Sequence, residues 1–168
     1  MTGRTRSFVA ILRIGIIAGT LDIGENLIFN AFRHITPAMV FRYIASGLIG
    51  PAVAGGGGPA IIALGVAIHY TIATVWTAVF FLASRRFAVL IRRPVLCGLA
   101  YGALVYVIMN FAVLPLTRVP HATAAMALSS RISGVLALLF CIGLTVALLT
   151  RREARREAAL QPTSDVAA

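Results

Sequence analysis

The sequence predicts an all-α polytopic membrane protein, with four transmembrane helices and a short interfacial or re-entrant helix between spans one and two. Three observations lead there. Of the 168 residues 60% are hydrophobic and only 12% charged, and the mean hydropathy is +0.94. The few charges are gathered into short clusters that punctuate long apolar stretches. Those stretches match the roughly 20 apolar residues that a helix needs to cross a hydrocarbon core about 30 Å thick. A soluble globule of this size must instead cover its outside with polar groups.

The first span is placed at Ala10 to Ala31 and is the most polar of the four, since it holds Arg13, Asp22, Glu25, Asn26 and Asn30. Its other positions are almost all Ile, Leu, Ala, Gly and Phe, and a polar stripe is tolerated in lipid when neighbouring helices hide it. Met1 to Arg6 followed by an apolar run has the outline of a signal peptide. Arg13 interrupts that run and no A-x-A cleavage pattern follows, so the segment reads as a retained span.

Thr36-Pro37 then reads as an N-cap with proline at the first helical position, leading into a short helix over Ala38 to Leu48. Val40, Phe41, Ile44 and Leu48 recur at helical spacing, and Arg42 is placed to reach the headgroups. The run Gly55-Gly56-Gly57-Gly58 reads as a hinge. It lacks the Lys-Ser/Thr ending of a phosphate-binding loop.

The second span, Ala60 to Ala83, carries no formal charge and stops at Ser84-Arg85-Arg86. The third, Val95 to Leu116, follows Arg92-Arg93-Pro94 and closes near Pro115, with Pro120 stiffening the loop beyond. The fourth runs from about Ala124 or Ala127 to Thr150, where Arg151-Arg152 stops it. Residues 1–150 thus form the transmembrane domain. Residues 151–168 form a basic cytoplasmic tail, helical for a turn or two past Glu153 and Glu157 and disordered after Pro162.

Arginine placement sets the expected orientation. Arg4, Arg6, Arg13, Arg85, Arg86, Arg92, Arg93, Arg151, Arg152, Arg155 and Arg156 fall on one side of a four-span arrangement, against Arg33, Arg42, Arg118 and Arg131 on the other. The positive-inside rule places both termini in the cytoplasm. The net charge of +10 does not indicate nucleic acid, because no basic cluster is interleaved with aromatics or built on a binding motif. Expected partners are the lipid bilayer and either a second copy or another membrane protein. Cys97 and Cys141 lie in apolar segments without CxxC spacing and read as small buried hydrophobes. His34, His69 and His121 stand on different elements with no ligand spacing, so neither a metal nor a haem or other cofactor is expected.

Two acids in one membrane helix demand an account, since a charge at the bilayer centre costs about 2.5–3.5 kcal/mol on insertion scales. On a 3.6-residue helix Gly15, Gly19, Asp22, Asn26 and Phe29 form one stripe, with Glu25 and Asn30 at its edges. Gly15 and Gly19 make a GxxxG pair that allows close helix approach; Gly98 and Gly102 repeat it in span three. Counting about 1.5 Å per residue from the outer ends puts Asp22 and His69 about 13 Å deep, Glu25 and Asn110 about 9 Å, Tyr106 about 15 Å and Arg131 about 6–10 Å. These residues are therefore expected to form one polar layer open to the outside, with Arg131 neutralising Glu25, and His69 and Asp22 exchanging a proton or binding a polar ligand. The competing expectation is interhelical glue, about 0.6 kcal/mol per hydrogen bond.

Ala18-Gly19-Thr20-Leu21-Asp22, Ile44-Ala45-Ser46-Gly47-Leu48-Ile49-Gly50, Gly65 through His69-Tyr70, and Tyr101-Gly102 through Tyr106-Val107-Ile108-Met109-Asn110 to Pro115-Leu116 together resemble an uncharacterised family of small bacterial four-span inner-membrane proteins. The resemblance covers most of the chain before residue 117. It implies the same topology and draws attention to Asp22, His69 and Asn110, whereas Arg131 departs from the more neutral or histidine-bearing start expected of span four.

The functional expectation is a proton- or cation-coupled transport or channel component, with a non-enzymatic accessory or scaffold subunit as the alternative. An enzyme is not expected: H-E-x-x-H and G-x-S-x-G are absent, and Ser129, Ser130 and Ser133 need an acid or histidine within hydrogen-bond reach to serve as nucleophiles.

Overall fold

The computed structural model describes residues 3–119 and 128–160, with side chains from Thr5 onward. Helix α1 (Gly3–Ala31) leads through a turn to α2 (Pro37–Ile49) and the one-turn α3 (Pro51–Gly55), then α4 (Pro59–Arg86), the short α5 (Val89–Arg92), α6 (Pro94–Leu116) and α7 (Leu128–Ala159). Among the described residues there is no strand, and α1, α4, α6 and α7 are each long and apolar enough to cross a membrane. The fold is that of a four-span helical membrane protein with a shorter helix between spans one and two. The expected start of span four at Ala124 or Ala127, together with Pro120, His121 and the tail beyond Pro162, lies outside the described residues.

Local chemistry explains the boundaries. Thr36 caps α2, its extended backbone leaving Oγ1 to accept the Met39 N–H at 3.4 Å, and Pro37 takes the first helical position where no N–H is needed. Gly50 closes α2 at φ 86°, a conformation that glycine adopts freely. Pro51 then starts a new turn, so the first glycine of the expected hinge, Gly55, is helical and only Gly56 to Gly58 remain as connection. The α7 helix continues for about two turns past Arg151 to Ala159, taking Glu153 and Glu157 with it.

Helix α1 packs on α4 and on α7, α7 packs on α6, and α2 lies across α4. Glycine contacts set these approaches. A Cβ on Gly15 would stand 2.9 Å from the Thr74 Cα, and one on Gly19 would stand 3.0 Å from the Ala73 Cβ, so α1 and α4 meet nearly backbone to backbone. Gly98, Gly102 and Gly143 do the same for α6 and α7: a Cβ on Gly98 would lie 2.8 Å from the Gly143 carbonyl oxygen, and one on Gly102 would run into the backbone of Leu138 and Leu139. Without a hydrophobic force between helices in lipid, such close approach supplies the van der Waals contact that holds them. Gly65 serves α2 likewise, its missing side chain filled by the Phe41 backbone.

Packing is uneven along the bundle. The core of Ala10, Ile14, Ala18, Ala73, Phe80, Phe81, Ile142, Val146 and Ala147 lies toward the end where the arginines gather. There Arg13 binds Glu153 at 2.5 Å and Arg85 binds Glu157 at 2.6 Å, so the last turns of α7 are clasped to α1 and α4. Around the outside, Phe8, Ile16, Ile28, Val75, Leu82 and Leu104 are exposed, an apolar girdle that suits lipid. Toward the other end the helices part.

Candidate functional site

Where the helices part they enclose a cavity of about 700 Å³. All four spans and α2 contribute to it: Asp22 and Asn26 from α1, Tyr43 and Gly47 from α2, His69 and Trp76 from α4, Tyr106 and Asn110 from α6, and Ser130 and Arg131 from α7. Most of the remaining lining is aliphatic. A cavity of this size, apolar with a few convergent polar groups, has the character of a small-molecule site.

The polar layer expected from the sequence is brought together except at one residue. Asp22, Asn26, His69, Tyr106, Asn110 and Arg131 line the cavity; Glu25 does not. The expected pairing of Arg131 with Glu25 is not formed among the described residues, and Glu25 Oε1 instead accepts a hydrogen bond from Ser133 Oγ at 2.6 Å. The reason is angular. Ser133 lies two residues from Arg131 on a helix that turns about 100° per residue, so the two side chains point to nearly opposite sides of α7. Ser130, Arg131, Gly134, Ala137 and Leu138 make the stripe that faces the cavity, and Ser133 faces α1.

Ser133 and Glu25 also meet the condition set for a serine nucleophile, an acid in hydrogen-bond contact. Neither side chain lines the cavity, however, and the pair sits at the α1–α7 contact, so the arrangement reads as an interhelical bond.

His69, Asn26, Asn110 and Ser130 are held by hydrogen bonds to their own or neighbouring helices. His69 Nε2 lies 2.9 Å from the Gly19 carbonyl oxygen. A carbonyl only accepts, so Nε2 carries the proton and Nδ1 remains for a second partner. The ring also stands edge-on to Tyr70, whose hydroxyl is 3.0 Å from Thr20 Oγ1. Asp22 is within coulombic reach of His69 and Glu25. Asn30 Nδ2 donates to the Asn26 backbone oxygen at 2.9 Å and to its Oδ1 at 3.0 Å. Arg33 donates to Ser130 Oγ at 2.5 Å, tying the end of α1 to the start of described α7.

Both helices beside the cavity widen into π-helical turns. In α6 the widening covers Met109–Val113, with the Leu114 N–H reaching the Met109 oxygen five residues back. Pro115 accounts for it, because proline donates nothing and its ring crowds the carbonyl four residues earlier. Asn110 Nδ2 donates to the Tyr106 oxygen at 2.9 Å within the same stretch. In α7 the widening spans Ala137–Leu144, opposite Gly98 and Gly102, and Thr145 Oγ1 donates to the Phe140 oxygen at 3.1 Å. Such turns recur at functional sites.

Tyr43 and Trp76 line the cavity without having been singled out from sequence, and Ser130, weighed there only as a nucleophile, lines it as well. For Trp76 a usable signal existed, since it stands seven residues after His69 on one helical face. Tyr101 OH donates to the Trp76 oxygen at 2.6 Å and fixes that part of the wall. Among the described residues no group of three His, Cys, Asp or Glu side chains comes together, and Cys97 and Cys141 are both free thiols. No protein-family model matches the chain, nor does any curated protein or solved structure.

Proposed function

We propose that the protein is a proton- or cation-coupled transport or channel component of a bacterial inner membrane, working through the cavity between its four spans. Both termini are cytoplasmic in this reading, because the start of α1 and the end of α7 lie at the arginine-rich end, and the cavity lies in the half away from that end. The observation that carries the proposal is the convergence of Asp22, His69, Asn110 and Arg131, one from each span, on one cavity of about 700 Å³. Ionisable groups inside a membrane are costly and mark solute or proton paths. Asp22 offers a carboxylate to a cation or proton, and His69 offers Nδ1 while its other nitrogen is held by Gly19.

The test is flux in proteoliposomes carrying an entrapped pH-sensitive dye, with an imposed proton or sodium gradient. Wild-type protein is expected to dissipate the gradient faster than empty liposomes, and Asp22→Asn or His69→Ala to slow it by at least tenfold. Equal rates for wild type and both variants sink the proposal.

A further inference from the structure

Asp22 and Arg131 face the same cavity, and among the described residues neither makes an ion pair or a side-chain hydrogen bond. Opposite charges held inside a membrane bundle ordinarily pair with one another, since an unpaired charge bears the full desolvation cost. Here the bundle keeps them apart. The Ser133–Glu25 bond sets α7 and α1 level at those residues. Asp22 then lies three residues toward the arginine-rich end, and Arg131 two residues toward the opposite end, an offset of about 7.5 Å at 1.5 Å per residue. A carboxylate and a guanidinium that line one cavity at different levels and do not pair with each other suit a small molecule bearing an ammonium and a carboxylate, each a hydrogen bond away from its protein partner.

The remaining wall says what the rest of such a molecule is like. Tyr43, Trp76, Tyr106 and Phe111 stand in the lining beside Ile68, Ile72 and Leu138, so its body must be apolar or aromatic. Aromatic faces also favour an ammonium group over a carboxylate. Resting on the same site as the proposed function, we infer that the cavity binds an apolar α-amino acid, its ammonium at Asp22 and its carboxylate at Arg131. The chemistry is that of an amphipathic zwitterion, which a zwitterionic phospholipid headgroup shares; the free amino acid is the source favoured by a lining that, apart from a few polar groups such as Asn26, His69, Asn110 and Ser130, is apolar or aromatic.

The test is isothermal titration calorimetry of the full-length protein in detergent micelles with L-phenylalanine, phenethylamine and 3-phenylpropionate. The two analogues each keep one charge. Wild-type protein is expected to bind phenylalanine at least tenfold tighter than either analogue, a comparison that needs no variant to fold. Asp22→Asn should lower phenylalanine affinity at least tenfold and leave 3-phenylpropionate unchanged, and Arg131→Gln should lower it equally and leave phenethylamine unchanged. No heat with phenylalanine, or analogues bound as tightly as the zwitterion, overturns the inference. Loss of the phenylalanine heat on adding a zwitterionic phospholipid overturns it in favour of a headgroup. Gradient dissipation without phenylalanine binding leaves the proposed function standing and removes this inference; phenylalanine binding without dissipation does the reverse.

Discussion

Replacing Gly102 with alanine tests whether the bundle depends on backbone contact between α6 and α7. The new methyl would sit 2.6 Å from the Leu139 Cα and against the Leu138 carbonyl, both backbone, so no side-chain rotation relieves it. Restoring a 3.4 Å contact requires the two helices to separate by at least about 0.8 Å, in an interior that tolerates few gaps. Overpacking costs typically 1–3 kcal/mol, and the upper end applies because the separation also loosens Gly98 and Gly143. Alanine gains about 1 kcal/mol of helix propensity over glycine, leaving a net loss of about 2 kcal/mol. Gly24 supplies the control. It lies inside α1 with nothing within 4 Å of its would-be Cβ, so Gly24→Ala should stabilise by up to about 1 kcal/mol. Reversible unfolding in mixed micelles, followed by the single tryptophan, Trp76, and by helical circular dichroism, measures both. A Gly102→Ala protein as stable as Gly24→Ala would refute the reasoning.

Three further outcomes follow from described contacts. Ser133→Ala should cost about 0.6 kcal/mol, the average for a hydrogen bond between membrane helices, and Glu25→Gln no more than that because the amide oxygen still accepts; the same unfolding assay reads both. Glu153→Gln combined with Glu157→Gln should leave global stability within about 1 kcal/mol, since the partner arginines are half exposed and such pairs are worth little. Hydrogen exchange over residues 153–159 should nevertheless rise, and unchanged protection there would show that the clasp contributes nothing. In a cysteine-free background, Ala154→Cys should react with a membrane-impermeant thiol reagent only after cells are opened, and Thr117→Cys in intact cells; the reverse pattern would invert the orientation.

The spans were legible because their signal is composition over more than twenty residues, which no single contact can overturn. Pro37 marked a helix start for a local reason, the missing N–H, and Pro59 and Pro94 open their helices in the same way, one residue before the expected starts at Ala60 and Val95. Asp22, Asn26, His69, Tyr106, Asn110 and Arg131 reach the cavity and Glu25 does not; helical periodicity and depth counting both operate within one helix and each needs only the sequence of that helix. The Arg131–Glu25 pairing failed where angle mattered, since depth alone does not say which side of α7 faces α1. Tyr43 escaped notice because α2 reaches the cavity only by lying across α4, an approach set by Gly65 against the Phe41 backbone and visible only in three dimensions. Gly143 was equally silent: a lone glycine in a membrane helix says nothing until its partners on α6 are known.

The widened turn at Ala137–Leu144 separates the cavity-facing start of α7 from its clasped end. Each residue of a regular helix advances the side chains by about 100°, so a stretch wound more loosely shifts the angular phase of everything before it relative to everything after it. Arg131 owes its heading to that phase. Tightening the stretch into regular α-helix, with the far end anchored by Glu153 and Glu157, would swing Arg131 around the helix axis and out of register with Asp22, making the winding of one segment the dial that sets where the positive charge points.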